Sequence, residues 1–273
     1  MEKFRRSERL AIMGKLLAES PGKLFPLRYF EDLFGTAKST ISEDITLMKQ
    51  SFERLNQGTL VTVAGAAGGV KFCPYCSKNF IESTLKEMAL KLSDPSRILP
   101  GSYLYLSDII FNPYIAGQIG QIFATIFKDK EPDYIVTIET KGIPLALMTA
   151  RAFNVPLVII RDENRVTEGS SVNINYISGS RGEIETMSLA RRALPNDSSV
   201  IIIDDFMKGG GTTRGMLDMM QEFNAKVLGI GIFIATALPE QKLVEDYRHL
   251  LELKDVDQKS KKISIEPVLN WLN

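Results

Sequence analysis

Thiol and imidazole groups are scarce in this chain, with two cysteines and one histidine among 273 residues. A closed zinc site takes four ligands, so Cys73 and Cys76 in FCPYCS would need two more, and His249 lies far along the chain. Thioredoxin-like redox chemistry would need a βαβ surround, and the segment upstream of FCPYCS reads as something else. Two readings of the CxxC stay open: a redox or metal site, or a junction between domains with two incidental thiols kept reduced in the cytosol. Long apolar runs are also missing. No stretch approaches the ~18 uncharged apolar residues of a membrane span, and the basic start MEKFRRSER leads into a polar amphipathic segment rather than a signal-peptide core. A cytoplasmic protein with no membrane partner is expected. Net charge is absent too, with 33 Lys and Arg against 33 Asp and Glu, so the molecule as a whole has no pull on nucleic acid or lipid. Only residues 1–72 lean positive, with six Lys and five Arg against eight acids, the sign expected of a module that meets phosphates. The P-loop pattern GxxxxGKS/T does not occur, and no GxGxxG follows a strand, which excludes two common nucleotide sites.

What is present is the run VIIIDDFMKGGGTTRG at 200–215. Val200, Ile201, Ile202 and Ile203 make the continuous apolar stretch of a parallel strand covered on both faces, and the chain leaves its carboxyl end where Asp204 and Asp205 begin. Open α/β sheets bind their ligands at that end. Gly209, Gly210 and Gly211 allow positive φ and remove Cβ atoms, so backbone N–H groups can close around an anion. Thr212 and Thr213 add hydroxyl donors at the start of a helix. Two carboxylates beside a phosphate would be repelled by it, so they are expected to accept hydrogen bonds from vicinal hydroxyls such as those of a ribose. Sugar plus phosphate means a ribose phosphate.

The first seventy residues follow helical spacing. Leu10, Met13, Leu16 and Leu17 predict a helix over 7–20 that Pro21 and Gly22 stop. Leu27, Phe30, Leu33 and Phe34 predict a short second helix ended by Gly35, and Ile41, Ile45, Met48 and Phe52 predict a third. Lys38, Ser39, Thr40 and Ser42 at the amino end of that third helix are the small polar residues and cation with which a recognition helix reaches bases and phosphates. TLVTVAGAAGGVKF then reads as a hairpin shaped like a wing, with Lys71 just beyond its tip. Arg5 and Arg6 are placed to reach the DNA backbone or a minor groove, and Glu43 and Asp44 should point away from DNA. A helical bundle or dimerisation cap is the alternative for this unit.

An amphipathic helix over 78–92 connects to a second unit. GSYLYL at 101–106 and DYIVTIE at 133–139 are expected strands around a helix at 114–127. The second of them runs into Thr140, Lys141 and Gly142, a βα turn able to hold a pyrophosphate, or else a plain crossover with an exposed lysine. PLVII predicts a buried strand, followed by a long polar hairpin containing Arg161 and Arg165 and supported by alternating Val172, Ile174 and Tyr176. KVLGIGIFIAT and KKISIEPVL supply further strands.

The DD-x4-GGTT spacing resembles the binding signature of type I phosphoribosyltransferases, in which paired acids engage the ribose hydroxyls of phosphoribosyl pyrophosphate (PRPP) and the glycine–threonine loop holds its 5′-phosphate. The hairpin is similar to the mobile loop that closes over PRPP in those enzymes, and AKSTISEDI resembles winged helix-turn-helix recognition helices. Together, FRRSERL, AKSTISEDI, VAGAAGGVK, RILPGSYLYL, TKGIPLA, VTEGSSVNINYISGS and IIIDDFMKGGG, in that order, resemble the purine operon repressors of bacteria over essentially the whole chain. The resemblance implies an N-terminal winged helix-turn-helix domain over 1–74, followed by a type I phosphoribosyltransferase-like α/β effector domain over 75–273 with a mostly parallel sheet. It implies a homodimeric regulator of purine biosynthesis and transport genes that binds double-stranded operator DNA. It implies PRPP, with Mg2+, as the effector, and competition for the pocket by guanine nucleotide alarmones such as guanosine tetraphosphate. It implies no transferase activity, whereas the alternative is an active purine phosphoribosyltransferase with an N-terminal oligomerisation domain. By motif, Asp204 and Asp205 would contact hydroxyls, Lys208 to Thr213 phosphates, Lys141 the pyrophosphate, and Tyr103 and Phe206 would offer stacking surfaces, with Met207 on the same stretch.

Overall fold

The computed structural model describes residues 4–56, 58–65, 67–162, 169–177 and 183–272. The predicted helices of the amino-terminal unit are α1 (Arg6–Glu19), α2 (Leu27–Phe34) and α3 (Lys38–Arg54). Gly35 ends α2 in the left-handed conformation (φ 58°) that glycine adopts without strain. Strands β1 (Phe25–Pro26), β2 (Thr59–Val63) and β3 (Gly69–Cys73) form an antiparallel sheet in the order β1-β3-β2. A Cβ on Gly68 would strike the Val63 carbonyl, so the wing turn closes only with glycine there. Met13, Leu17, Phe30, Phe34, Ile41, Ile45, Leu60 and Phe72 fill one core shared by helices and sheet.

The junction comes next. Cys76 donates its N–H to the Thr125 hydroxyl at 2.9 Å, and α4 (Lys78–Leu92) is capped by the Ser77 side chain, which accepts from the Phe80 N–H. The segment predicted as a strand at 101–106 contributes only a two-residue pair, β4 (Ile98–Leu99) with β5 (Tyr103–Leu104), outside the main sheet. The one-turn helix α5 (Ser107–Ile110) and the longer α6 (Pro113–Ile126) follow. The main sheet is built from β6 (Tyr134–Ile138), β7 (Leu157–Ile160), β10 (Ser199–Met207), β11 (Lys226–Thr236), β12 (Tyr247–Asp257) and β13 (Lys262–Pro267). Its order is β13-β12-β11-β10-β6-β7, and the one antiparallel pairing among these is β12 with β13. Arg248, His249, Glu252, Lys254 and Asp255 interrupt the apolar pattern of β12, which is why periodicity does not reveal that strand. The predicted polar hairpin is β8 (Ser171–Ile177) paired antiparallel with β9 (Ile184–Ala190), and Arg165 lies outside the described residues.

Helices α7 (Gly142–Phe153) and α8 (Gly211–Glu222) are the two crossovers that matter for function. Alternation along β10 divides the sheet's burial between two cores. Ile201 and Ile203 pack with α4, α6 and α7, whereas Val200 and Ile202 pack with α8 and the β8–β9 hairpin. The amino-terminal unit rests on the far end of α7: a Cβ on Gly22 would lie 2.7 Å from the Asn154 Cβ and 2.9 Å from the Phe153 carbonyl oxygen. A cavity of about 230 Å3 remains between the two units, lined by Lys71, Cys73 and Tyr75 on one side and by Lys128, Lys130 and Phe153 on the other.

Candidate functional site

The site lies where β6 and β10 part. Their pairing covers Val200–Ile202 against Tyr134–Val136, while β10 stays paired with β11 as far as Met207. Beyond Ile202 a crevice therefore opens at the carboxyl ends. After β6 the chain crosses through α7 to β7 on one side, and β10 takes the other side, so the crevice is the switch point at which open α/β sheets bind ligands.

Asp204 and Asp205 stand in this gap. Asp204 is 3% exposed and Asp205 half-buried, and the Asp205 N–H donates to Asp204 Oδ1 at 3.0 Å. Burial, reinforced by the neighbouring charge of Asp205, raises the Asp204 carboxyl well above the usual carboxylate range. Burial raises Asp205 as well, opposed by its hydrogen bond with Asp204 and by the positive charge of Lys141. Lys141 and Thr140 are exposed on the lip, and Gly142 is buried at the first position of α7. A Cβ on Gly142 would collide with the Thr137 hydroxyl and sit 3.2 Å from Asp204 Oδ1. Only glycine lets the positive end of α7 start against the acid pair. The turn is thus part of the crevice rather than a remote crossover. Glu139 anchors it, accepting from Arg161 Nη1 at 2.8 Å and from the Asp162 N–H at 3.0 Å.

Opposite, β10 runs into exposed Lys208, half-buried Gly209 and buried Gly210 and Gly211. Gly210 adopts φ 85°, and α8 begins at the next residue, so the first N–H groups of that helix face the crevice without intrahelical acceptors. Thr212 is half-buried and Thr213 is 1% exposed. Met207 does not face a ligand: at 2% exposure its side chain belongs to the second core, with its sulfur 3.4 Å from where a Cβ on Gly210 would lie, so it packs beneath the loop. Phe206 is half-buried and packs on the first core. Tyr103 is 56% exposed on the β4–β5 hairpin, which touches the carboxyl side of the sheet through a 3.0 Å hydrogen bond from the Gln258 amide to the Leu99 carbonyl. Tyr176, read from sequence only as hairpin packing, reaches the site. Its hydroxyl donates to Glu185 Oε2 at 2.7 Å, a Cβ on Gly215 of α8 would lie 2.9 Å from its own, and it hydrogen-bonds Thr212. Alternation along β8 was visible, but the helix beneath it was not.

On α3, Lys38, Ser39 and Ser42 are exposed and Thr40 is partly so. Glu43 is exposed among them, while Asp44 is completely buried rather than turned to solvent. Arg6 Nε lies 2.9 Å from Asp44 Oδ1 and Arg9 Nε 2.8 Å from Asp44 Oδ2. Arg6 is therefore an ion-pair partner of α3, about half exposed, rather than a free basic arm. Arg9 escaped the sequence reading, although its i, i+4 spacing with Met13 puts it on the buried stripe of α1. Arg5 is exposed, with its N–H on Glu8 at 2.6 Å. Lys71 lies within wing strand β3, opposite Val61, and lines the cavity between the two units rather than the region beyond the wing tip. Burial pushes the Cys76 thiol up to about 11 and raises Cys73, so both stay protonated at neutral pH, which favours the junction reading of the CxxC.

Comparison with known proteins agrees with both halves. A family model described as the bacterial purine repressor, N-terminal, matches residues 5–74, and one for the phosphoribosyl transferase domain matches 107–267. The purine biosynthesis transcriptional repressor PurR of Bacillus subtilis (strain 168) is 47% identical over 264 residues, spanning 97% of this chain and 93% of its own. The chain belongs to the PurR family of transcriptional regulators. Within the PurR family, the Lactococcus lactis relative, 38% identical over 96% of this chain and 97% of its own, is named an activator. The xanthine phosphoribosyltransferase of Deinococcus deserti is 32% identical but spans 51% of this chain and 75% of its own. Crystallised adenine phosphoribosyltransferase from Thermoanaerobacter pseudethanolicus superimposes with a TM-score of 0.52 at 14% identity, over 60% of this chain and 96% of that one, which establishes the fold of the carboxyl-terminal domain. The enzymes match one domain and the regulators match both, so the chain is a regulator carrying a transferase-type domain and not itself an enzyme. Among the described residues no helix is long and apolar enough to cross a membrane.

Proposed function

We propose that this chain, acting as a homodimer, regulates purine biosynthesis and transport genes by binding operator DNA through α3 and the wing and by sensing PRPP in the β6–β10 crevice. The observation that carries the reading is the close approach of Gly142 to Asp204, which brings the 140–142 turn, the acid pair and the 208–213 loop into one crevice. Asp204 and Asp205 accept the ribose hydroxyls, the Gly209–Thr213 backbone and hydroxyls hold the 5′-phosphate, and Lys141 balances the pyrophosphate. Mg2+ would be bound chiefly by the pyrophosphate oxygens of the effector, the usual mode for that ion in phosphate-handling sites. Guanine nucleotide alarmones present the same ribose-phosphate chemistry and compete for the crevice.

Effector binding alters DNA affinity only if the two states of the protein differ in affinity for each. Helix α7 supports such coupling, because it starts beside Asp204 and ends against Gly22 of the amino-terminal unit, a rigid span of about 18 Å. Titration of purine operator DNA with and without PRPP at fixed salt tests the reading. A shift in affinity is expected, and equal affinity in both conditions rejects the sensing role.

A further inference from the structure

The 208–211 loop is held from outside by a segment that no motif identifies. After the last ladder pair of β10 with β11, Met207 with Ala235, Thr236 lies opposite Lys208, and its hydroxyl is 3.3 Å from the Lys208 carbonyl oxygen. The same hydroxyl is 2.6 Å from the Leu238 carbonyl oxygen. Lys242 Nζ donates to the Thr236 carbonyl at 2.7 Å and to its hydroxyl at 3.2 Å. The next residue, Leu243, donates its N–H to the Gly209 carbonyl at 2.9 Å. Val244 is 5% exposed in the second core, and its Cγ2 would lie 3.6 Å from a Cβ on Gly210. Residues 236–244 therefore strap the outer side of the glycine turn, and the ammonium of Lys242 is the knot.

A glycine run gains close approach at the expense of order, since each glycine loses more backbone freedom on folding than any other residue. Something must hold Gly209 to Gly211 with their N–H groups turned inward before the anion arrives, or binding is weakened by the ordering it must do. We propose that Lys242 is the positioning residue that fixes this loop, acting through Thr236 and the Leu243 N–H rather than by touching the ligand. The inference rests on reading the crevice as a ribose-phosphate site. Lys242 is half-buried, and desolvation draws its pKa down while the Glu252 carboxylate opposes the shift.

Two rival roles are separable by experiment. A clamp serving only the fold would weaken every ligand equally, and a lysine reaching the phosphate would act without Thr236. Calorimetric titration of the full chain with ribose 5-phosphate, which reports the 208–213 loop, and with pyrophosphate, which reports the 140–142 turn, distinguishes them. Lys242→Met should lose about tenfold in ribose 5-phosphate affinity and leave pyrophosphate unchanged, Lys242→Arg should restore most of the loss, and Thr236→Val should reproduce part of it. An unchanged melting curve in Thr236→Val keeps the comparison meaningful if Lys242→Met folds poorly. Wild-type affinity for ribose 5-phosphate in Lys242→Met, an equal loss for both ligands, or full affinity in Thr236→Val beside a loss in Lys242→Met each overturns the positioning role. Failure of the wild-type protein to bind either ligand overturns the crevice reading and the inference with it.

Discussion

Asp44 in the amino-terminal unit and Asp204 in the transferase-type domain are both buried carboxylates, at 0% and 3% exposure. Asp44 is gripped by two guanidinium groups, Arg6 and Arg9, each within 2.9 Å. Asp204 faces a second carboxylate, that of Asp205, whose N–H it accepts at 3.0 Å. A buried charge whose partners come from the same chain is a structural pin, and here it fastens α3 to α1 so that the exposed Lys38, Ser39 and Ser42 keep a fixed bearing. A buried acid pair pushed toward its protonated form is held at the expense of stability, the mark of a candidate functional site.

The largest effect should come from breaking the pin. Arg9→Met leaves Asp44 buried beside only the half-exposed Arg6 and should destabilise the amino-terminal unit by about 3–5 kcal/mol. Denaturation followed by a probe in each domain should show early loss of that unit and of DNA binding, with effector binding intact; a single unshifted transition would show that Arg9 contributes nothing. Next, Asp204→Ala with Asp205→Ala should weaken PRPP binding by about 100-fold, since hydrogen bonds to charged groups contribute about 1.5–3 kcal/mol each. Operator affinity without effector should stay at the wild-type level, and its loss in the same variant would indicate misfolding.

A third test uses the raised carboxyl pKa values. The folded acid pair holds protons that the unfolded chain releases, so its penalty is absent below the ordinary carboxylate range and grows as pH rises through the folded values. Asp204→Asn should therefore be more stable than wild type at pH 7 by about 0.5–2 kcal/mol. That advantage should shrink as pH is lowered toward about 4, the unperturbed carboxyl value. Melting curves of the two proteins at pH 7 and pH 5 check the sign. The smallest change belongs to Lys38→Ala, expected to weaken DNA binding alike on all sequences, to lower the salt-dependence slope by about 1 and to spare PRPP binding. An unaltered slope would remove Lys38 from the phosphate contacts.

These contrasts also separate what was readable from what was not. VIIIDDFMKGGGTTRG could be read because strand, turn and helix start are local: β-branched residues, consecutive glycines and threonines carry their meaning within a few positions. The three amphipathic helices and the wing were legible for the same reason. Met207 shows the limit of a contiguous motif, since the pleat sends that side chain into the second core although its neighbours line the loop. Arg9 and Asp44 are 35 positions apart, and nothing in either local pattern names the other. Lys71 looked like a residue beyond the wing tip because the hairpin was visible, while its register and the domain covering that face were not.

The residue types along the chain determined which elements form and that a glycine and threonine turn follows the acid pair, because propensity, turn chemistry and apolar period act over a few residues. The order of the sheet decided the rest. By placing β10 beside β6 and letting them part after Ile202, it brought Gly142 and Lys141 to Asp204 and Asp205 across more than sixty positions of chain. Such meetings depend on strand neighbours and on how helices pack over them, which are set by the burial of the whole molecule and not by any single stretch.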